Sequence, residues 1–354
     1  MKTTDGPAPG APRGNKPAGP APLIAAGTFV VDYHKVLDHY PAERTGARVR
    51  REMVSHGGAP FNVLVCLAKL GAGFPLHAAA KVGRDLDGRF ILDCCRSHGI
   101  DTTQITAVED AATGYTDVYT VAANGRHTCF HYSGIGDTFA RNDVKLRAVS
   151  PGMLFLGSLG ALGKMDNPSP RLGRTGAAQL IREARKQGIT TVIEISPIDL
   201  DRGLDSFRET LAQADYLVIS DGVAERLTGI ELHDDGRFDP ELARRAAGLF
   251  LRAGLRKAVV IHARGGACML AAGGEHHHQP GWFLPAPLRK GSAGADHAFT
   301  AGFIEGLHHG RPAAECLEQG LAAAIMCRRE IPPSDGVGTM AQCLEFCRRL
   351  ETRG

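Results

Sequence analysis

Short apolar runs alternate along this chain with longer segments in which apolar residues recur at helical spacing. Short continuous apolar runs bounded by turn residues are typical of strands that are covered on both faces. The runs predicted to be strands are 23–31, 77–82, 153–156, 191–195, 216–219 and 258–262. The predicted helices are 59–70, 88–97, 176–187, 240–253 and 297–309, and glycine follows several of them closely, as at helix ends. Repeated strand and helix predict an α/β, doubly wound, mostly parallel sheet flanked by helices.

Two segments, 39–56 and 113–132, interrupt this rhythm, because polar and apolar residues alternate in them as in strands with one solvated face. Asn124 and Gly125 form a strong hairpin-turn signal inside the second segment. The pattern predicts a small sheet inserted into one α/β domain of residues 23–354. Residues 1–22, rich in Pro, Gly and Ala, are predicted to be a disordered tail.

Composition narrows the class of protein. The chain has 354 residues, 43% hydrophobic and 22% charged, which suits one large globular core. Its formal charge of +3 is spread without basic runs, so neither a nucleic-acid nor a membrane partner is predicted. No secretory signal or run of about eighteen apolar residues occurs, and the nine cysteines lack C-x-x-C spacing. Reduced thiols and a cytoplasmic location are expected.

The stretch from Gly291 to Phe303 carries the strongest chemical signal. Small residues, among them Ala293, Gly294 and Ala295, allow backbone N–H groups to approach an oxyanion, and a helical pattern follows directly. Unpaired N–H donors and the positive end of the helix dipole suit a transferring phosphoryl group. Phosphoryl transfer is therefore the first hypothesis.

The same stretch resembles the C-terminal signature of the PfkB (ribokinase-like) carbohydrate kinases, D-T-x-G-A-G-D-x-F-x-x-G-F. Residues 298–303 fix the register, which puts Gly294 and Ala295 on the first Gly and Ala of the signature. Asp296 falls on its second Gly, and His297 falls on the aspartate that acts as catalytic base in the family. The resemblance implies that His297 or Asp296 is the base here. Neutral histidine can act as a base near pH 7.

A second match lies at residues 57–71, where Gly57, Gly58 and Asn62 fit the family pattern G-G-x-x-x-N-x-A-x-x-x-x-x-L-G. The resemblance implies that these residues hold sugar hydroxyls, for which Asn62 offers both a donor and an acceptor. Asp32 resembles the aspartate at the end of the first strand that reaches substrate hydroxyls in these kinases. The resemblance also implies that the inserted sheet is a lid over the substrate and that subunits can pair through it.

The nucleotide side departs from the family. Ser220 and Val223 stand at the two functional positions of the family's N-x-x-E motif, which binds Mg²⁺ and phosphate. Valine cannot ligate Mg²⁺, which requires oxygen. Arg264 stands in a segment that lines the ATP phosphates in the family, where it could pair with a phosphate or be a solvated surface arginine. ATP and Mg²⁺ are expected by resemblance only, and no other metal site is predicted.

Three hypotheses about function remain open. The first is an ATP-dependent phosphotransferase that uses an alcohol group of a sugar or nucleoside as acceptor. The second is a non-catalytic sugar-binding or regulatory pseudokinase of the same fold. The altered residues favour the second and the family resemblance favours the first, so kinase ancestry with impaired or altered catalysis is expected. The third is a metal-dependent hydrolase built on His276, His277 and His278, although these histidines fit a solvated hairpin better.

Overall fold

The structure is a computed structural model that describes residues 19–168, 173–198 and 200–352. Most of the predicted tail, residues 1–18, lies outside the described residues. The strands are β1 Leu23–Gly27, β2 Val30–Leu37, β3 Val49–Gly57, β4 Leu76–Gly83, β5 Asp101–Val108, β6 Tyr115–Val121, β7 His127–Tyr132, β8 Met153–Leu159, β9 Thr190–Ile195, β10 Tyr216–Ser220, β11 His233–Asp234, β12 Arg237–Phe238, β13 Ala258–Ala263, β14 Gly266–Ala271 and β15 His276–Pro280. The helices are α1 Ala59–Leu70, α2 Leu86–Ser97, α3 Leu146–Val149, α4 Gly176–Lys186, α5 Arg208–Leu211, α6 Asp221–Thr228, α7 Pro240–Arg252, α8 Ala295–His308, α9 Ala313–Cys327 and α10 Met340–Cys347.

A nine-stranded sheet forms the centre of the fold, in the order β15-β14-β13-β10-β9-β8-β1-β4-β5. Seven strands from β13 to β5 pair in parallel, and β14 and β15 continue the sheet antiparallel. Successive residues of β1 enter opposite cores: Leu23 and Ala25 pack with α1, α8 and α9, while Ile24 and Ala26 pack with α4 and α7. The predicted doubly wound α/β fold is confirmed.

A separate four-stranded sheet, in the order β3-β2-β6-β7, forms the lid. The sequence-based strand 23–31 was wrong, because the first core strand ends at Gly27 and the chain continues into lid strand β2. Gly27 has φ 140°, a backbone conformation that side chains other than glycine rarely adopt, and this conformation breaks the run. Residues 38–48 form no strand, so the ordered part of segment 39–56 begins at Val49. The β6–β7 hairpin turns around Asn124 and Gly125 as predicted.

Helix α8 begins at Ala295, two residues before the predicted start at 297. Gly294 caps it with φ 75°, and a Cβ there would lie 2.6 Å from the Cβ of Pro333, so the position needs glycine. Asp296 and His297 consequently occupy the first turn of the helix rather than the loop before it. The side chains of adjacent residues on a helix diverge by about 100°. These two residues therefore face different parts of the site.

The cysteines and the helices add two further observations. All nine cysteines carry free thiols, and seven of them are buried. Among the described helices, none combines the length and apolarity that crossing a bilayer requires.

Candidate active site

A cavity of about 280 Å³ lies between the lid and the carboxyl ends of the parallel strands. Ligands of open α/β sheets bind at this edge. Asp32, Gly58 and Asn62 line the cavity on one side, and Ala293, Gly294 and His297 line it on the other. The sequence regions predicted to hold the acceptor and the phosphoryl group therefore face a common space, although more than 200 residues separate them along the chain. We call this space the polyol cavity.

Asp32 reaches the polyol cavity from the lid, not from the end of the first core strand as the sequence suggested. Its carboxylate packs against Gly57, where a Cβ would lie 1.9 Å from Asp32 Oδ1. This explains the glycine at position 57. Burial raises the pKa of Asp32 to about 7, although the positive charge of His297 and a hydrogen bond from Thr116 act in the opposite direction. Asp32 can therefore gain or lose a proton near neutral pH.

Asn62 lies in the first turn of α1, directly behind the glycine pair. Gly58 caps this helix with φ 83°, and a Cβ there would lie 2.2 Å from the Thr28 carbonyl oxygen, so the loop needs glycine to pass so close. The Asn62 amide is buried between two imidazoles: His56 Nδ1 lies 2.5 Å from Oδ1, and His297 Nδ1 lies 2.9 Å from Nδ2. These two contacts fix the orientation of the Asn62 amide.

His297 is held on its other side by Glu194, which lies near the end of β9. His297 Nε2 is 3.3 Å from Glu194 Oε1, and Ser158 Oγ donates to the same oxygen at 2.9 Å. Burial alone would lower the pKa of His297, but the Glu194 carboxylate, with smaller contributions from Asp296 and Asp32, raises it. The pair has the geometry of a histidine oriented by a carboxylate.

These contacts form one continuous chain, Ser334–His56–Asn62–His297–Glu194–Ser158. Burial lowers the pKa of His56 to about 4, so this ring is neutral and donates through only one nitrogen. With His56 Nδ1–H donating to Asn62 Oδ1, the Asn62 amide donates to His297 Nδ1, and His297 Nε2–H donates to Glu194. In this arrangement Nδ1 is the basic atom of His297.

Asp296 points away from this row of hydrogen-bonded side chains. It lines a second cavity of about 1000 Å³ that adjoins the first. His127, Ser220, His262, Ser292 and Asp296 line both cavities. Asp296 is 59% exposed, and its Oδ1 lies 4.0 Å from His262 Nδ1. Asp296 therefore shares this second cavity with Arg328, whose positive charge attracts its carboxylate. We call the second space the phosphate cavity.

Three arginines, Arg237, Arg264 and Arg328, line the phosphate cavity. Arg264 is exposed in the turn after β13, whereas Arg328 follows α9 and has a buried Nε with no hydrogen-bond partner among the described residues. Burial lowers the pKa of Arg328, and the negative charge of Asp296 partly offsets this effect. An unpaired, partly desolvated guanidinium is a strong site for phosphate oxygens.

Backbone donors add to this positive region at the start of α8. Ala295 N–H bonds to the Ser292 carbonyl at 3.2 Å, and Ala298 N–H bonds to the Gly294 carbonyl at 2.9 Å. Between them, the N–H groups of Asp296 and His297 have no backbone acceptor among the described residues. Free donors at a helix N-terminus bind anions.

Any oxygen ligands for Mg²⁺ would have to come from residues other than those at the family-motif positions 220 and 223. Ser220 caps α6 and Val223 is buried in the core, so position 223 offers no ligand. Asp221 and Asp296 both line the phosphate cavity. The pKa of Asp221 is raised, mainly by burial and partly by the charge of Asp296. Two carboxylates that repel each other fit a hydrated Mg²⁺ whose other ligands are water and phosphate oxygens.

The histidine run offers no comparable site. His276, His277 and His278 lie on edge strand β15 of a hairpin with β14. Across residues 19–168, 173–198 and 200–352, no group of three or more His, Cys, Asp or Glu side chains could hold a metal ion. The hydrolase hypothesis therefore has no metal site in the described part of the chain.

The lid contacts the loop that precedes α8 at the boundary of the two cavities. His127 of β7 has its Nδ1 3.0 Å from Ser292 Oγ. The same serine lies 3.5 Å from the Gly125 carbonyl at the tip of the hairpin. The lid therefore covers the polyol cavity and meets the wall opposite it.

Residues 25–332 match the profile of the pfkB family carbohydrate kinases. The chain belongs to this family. A 5-dehydro-2-deoxygluconokinase from Geobacillus kaustophilus is 26% identical over 333 residues, which cover 92% of this chain and 93% of that protein. This match extends over nearly the full length of both proteins.

Solved structures of similar fold include ribokinases. Arabidopsis thaliana ribokinase, solved with ribose and ATP, has a TM-score of 0.70 at 20% identity, covering 93% of this chain and 99% of that one. A protein described as ribokinase II from E. coli, solved with ATP and Mg²⁺, has a TM-score of 0.72 at 17% identity over 93% and 99% of the two chains. At these identities the likeness concerns the fold alone.

Of the site residues of this pfkB member that were missed from the sequence, which include His56 and Asp221, Glu194 and Arg328 matter most for the chemistry. Glu194 lies in the apolar run 191–195, where one charged residue near the end of a buried strand was the available signal. Arg328 follows α9, 31 residues after His297, and no local pattern marks it. Both were found only because the fold brings them to the two cavities.

Proposed function

We propose that this pfkB-family protein transfers the γ-phosphoryl group of ATP to a hydroxyl group of a sugar or nucleoside. The observation that carries the proposal is the position of His297, which faces the polyol cavity beside the free amides of α8. A hydroxyl in the polyol cavity and a phosphate at those amides would meet at this residue.

His297 is the general base in this proposal, and Glu194 is its positioning residue. A substrate hydroxyl takes the place of the Asn62 amide as hydrogen-bond donor to Nδ1 and passes its proton to that nitrogen. The oxygen forms a bond to the γ-phosphorus as the bond from phosphorus to the ADP oxygen breaks. Glu194, bonded to Nε2–H, stabilises the imidazolium that results.

Arg328 and Arg264 would bind phosphate oxygens in the phosphate cavity, and the amides of Asp296 and His297 would face the transferring group. Mg²⁺, when bound, would neutralise phosphate charge. Asp221 and Asp296 would supply carboxylate oxygens for it. In this scheme Asp296 would be a ligand of Mg²⁺. His297 is therefore the residue left to act as the base.

A non-catalytic sugar-binding protein is the second candidate. The observation in its favour is that both nitrogens of His297 already have partners, Asn62 on one side and Glu194 on the other. If the Asn62 contact persists when a sugar binds, Nδ1 cannot accept a proton. The protein would then bind its ligand without transferring phosphate.

ADP release separates the two candidates. Purified protein with ATP and Mg²⁺ is tested across a panel of sugars and nucleosides, beside His297→Ala and the double variant Asp296→Gly with His297→Asp. The proposal expects acceptor-dependent ADP release by the wild type and its loss in His297→Ala. Melting-temperature shifts with sugar in the absence of any ADP release, in both the wild type and the double variant, would favour the binding protein.

Pairing of two copies through the lid remains a proposal. Val54, Phe130 and Tyr132 of the lid strands are each about half exposed, which is unusual for large apolar side chains on one small sheet. Sedimentation of the wild type beside Val54→Glu tests it, because a lid-mediated dimer would dissociate in the variant.

A further inference from the structure

A buried histidine lies behind the polyol cavity and takes no direct part in the proposed reaction. His56 is the last residue but one of β3. Its Nδ1 lies 2.5 Å from Asn62 Oδ1, and its Nε2 lies 2.8 Å from Ser334 Oγ. The ring therefore joins the first turn of α1 to the turn after α9, although His56 and Ser334 are 278 residues apart in the chain.

The two hydrogen bonds of His56 must run in opposite directions. Burial lowers the pKa of His56 to about 4, although its hydrogen bond with Asn62 acts in the opposite direction. At neutral pH the ring is therefore uncharged and has one N–H group and one lone pair. One of its nitrogens donates and the other accepts, so fixing the direction of either contact fixes both.

Glu194 sets the direction from the other end of the row. A carboxylate only accepts, so His297 carries its proton on Nε2 and leaves Nδ1 as an acceptor. The Asn62 amide then turns its NH2 toward His297 and its Oδ1 toward His56, whose Nδ1–H donates. His56 Nε2 is consequently an acceptor, and the Ser334 hydroxyl donates to it.

Ser334 is held in place by its backbone. Its carbonyl oxygen accepts from Lys69 Nζ at 2.7 Å and from the Val337 N–H at 2.8 Å. The residue is buried, with a φ of 66° that few residues other than glycine adopt. Because α1 carries both Lys69 and Asn62, the contact with Lys69 fixes the Ser334 hydroxyl relative to the amide that it helps to orient.

The orientation of Asn62 matters when an acceptor binds. In the proposed reaction a substrate hydroxyl replaces the Asn62 amide as the donor to His297 Nδ1. The amide oxygen stays bonded to His56, so the NH2 group still points into the cavity and can donate to the oxygen of the same hydroxyl. That hydroxyl would be held from two sides, as a donor to His297 and as an acceptor from Asn62.

Resting on the proposed function, we infer that His56 and Ser334 are positioning residues for the acceptor, because they commit the Asn62 amide to present its NH2 group to the polyol cavity. Asn62, which by its chemistry can donate and accept, is then only a donor toward the ligand. If the amide turned its oxygen to the cavity, the substrate hydroxyl would donate to that oxygen and not to His297.

His34 provides a matched comparison within the lid. Burial lowers its pKa to about 4, and its Nε2 lies 2.8 Å from Ser55 Oγ, as His56 Nε2 does from Ser334 Oγ. His34 Nδ1 has no partner among the described residues, and neither His34 nor Ser55 lines the polyol cavity or the phosphate cavity. Replacing His34 therefore removes a similar buried contact without changing the orientation of Asn62.

Nitrogen NMR of the ligand-free protein near pH 8, labelled with nitrogen-15 in histidine and asparagine, reads these directions without requiring turnover. His56 should carry its proton on Nδ1 and none on Nε2. Two nitrogens that share an N–H···N bond are coupled, so Asn62 Nδ2 should couple to His297 Nδ1. Coupling of Asn62 Nδ2 to His56 Nδ1, or a proton on His56 Nε2, would overturn the inference. The variants His56→Gln and His297→Asn assign the signals by their loss.

ADP release measures the consequence for the reaction. His56→Gln keeps a polar group near Ser334 but removes the donor to Asn62, and His34→Gln is its matched control. The melting temperatures of the two variants should fall by similar amounts, because each loses a buried ring. The value of kcat/KM for the acceptor should fall by about ten-fold or more only in His56→Gln, with the KM for ATP unchanged.

Equal losses of activity in these two variants would mean that His56 only supports the fold, and would overturn its positioning role. Ser334→Ala beside Ser55→Ala makes the same comparison from the serine side, and it replaces the first pair if His56→Gln does not fold. Activity should fall in Ser334→Ala alone.

The outcome is separable from that of the proposed function. The expected nitrogen signals in a protein that releases no ADP would leave the orientation of Asn62 standing and remove the kinase proposal. ADP release by a protein in which Asn62 donates to His56 would do the reverse.

Discussion

The two cavities of this pfkB-family protein meet at shared residues, yet they differ in almost every physical property. The polyol cavity is small, closed by the lid and lined by buried carboxylates, whereas the phosphate cavity is more than three times larger and lined by three arginines. His297 lies at the boundary, bonded to residues of the polyol side and adjacent in sequence to Asp296 of the phosphate side. The difference gives the site two ends of unlike size and charge, which under the proposed function would receive the acceptor and the phosphate donor separately.

The largest expected effect comes from removing the side chain at the boundary. His297→Ala should lower kcat for ADP release by roughly 10²- to 10⁴-fold, because a positioned general base contributes about that factor. ATP and sugar should still bind, since each cavity keeps its other contacts. Steady-state rates and calorimetric titrations of both ligands check this result. Weakened binding with unchanged kcat would show that His297 only holds substrate.

The second largest effect is expected for a substitution that changes the phosphate cavity and leaves the polyol cavity intact. Arg328→Met should weaken ATP binding by roughly 10- to 100-fold, because a charge-assisted hydrogen bond in a partly desolvated site is worth about 1.5–3 kcal/mol. Sugar binding should not change.

Arg329→Met is the control for that measurement. It removes the same charge one residue further on, where the guanidinium stacks over Phe346 and lines neither cavity. Equal losses of ATP affinity in the two variants would mean that net charge, rather than the position of Arg328, sets the affinity.

The third effect concerns Asp32 and pH. Its folded-state pKa of about 7 lies above the ordinary value of 3.8, so its protonated form stabilises the fold, and this contribution is lost as the pH rises through about 7. Asp32→Asn should therefore melt a few degrees above the wild type at pH 8 and show no such gain at pH 4. Melting curves across this range check it, with exposed Asp93→Asn as the control. A gain that is equal at both pH values would contradict a titrating Asp32.

The smallest effect is expected at the mouth of the phosphate cavity. Arg264 is exposed, so water and salt screen its charge, and Arg264→Met should weaken ATP binding by no more than about five-fold. Titrations at two salt concentrations check this, since the effect should shrink as salt rises. A larger loss that is insensitive to salt would mean that Arg264 folds inward onto the phosphates.

The fold could be predicted from the sequence because the patterns that mark strands and helix ends each span only a few neighbouring residues. Buried strands such as 258–262 and the glycines at helix ends carry their signal within a few residues. Gly58, Asn62 and Gly294 could likewise be found from short motifs, since each belongs to a turn that directly precedes or begins a helix.

The electrostatics of the site could not be predicted in the same way. Glu194, Arg328 and the direction of Asp296 depend on how strands and helices from distant parts of the chain pack together. Asp32 illustrates the limit, because its role was inferred from the end of a core strand, whereas the break at Gly27 puts it on the lid. One backbone conformation at Gly27 changed which sheet carries this carboxylate.

The most direct test of the central claim is the pH dependence of kcat/KM for ADP release, measured for the wild type and for His297→Asp on the best acceptor of the panel. His297 must be neutral to act as a base, and its pKa is raised above the ordinary value of 6.5. The wild-type rate should therefore fall as the pH drops, with a midpoint above 6.5, and the midpoint should move to lower pH in His297→Asp. An acid limb that stays in the same place in both proteins would contradict His297 as the base at the boundary of the two cavities.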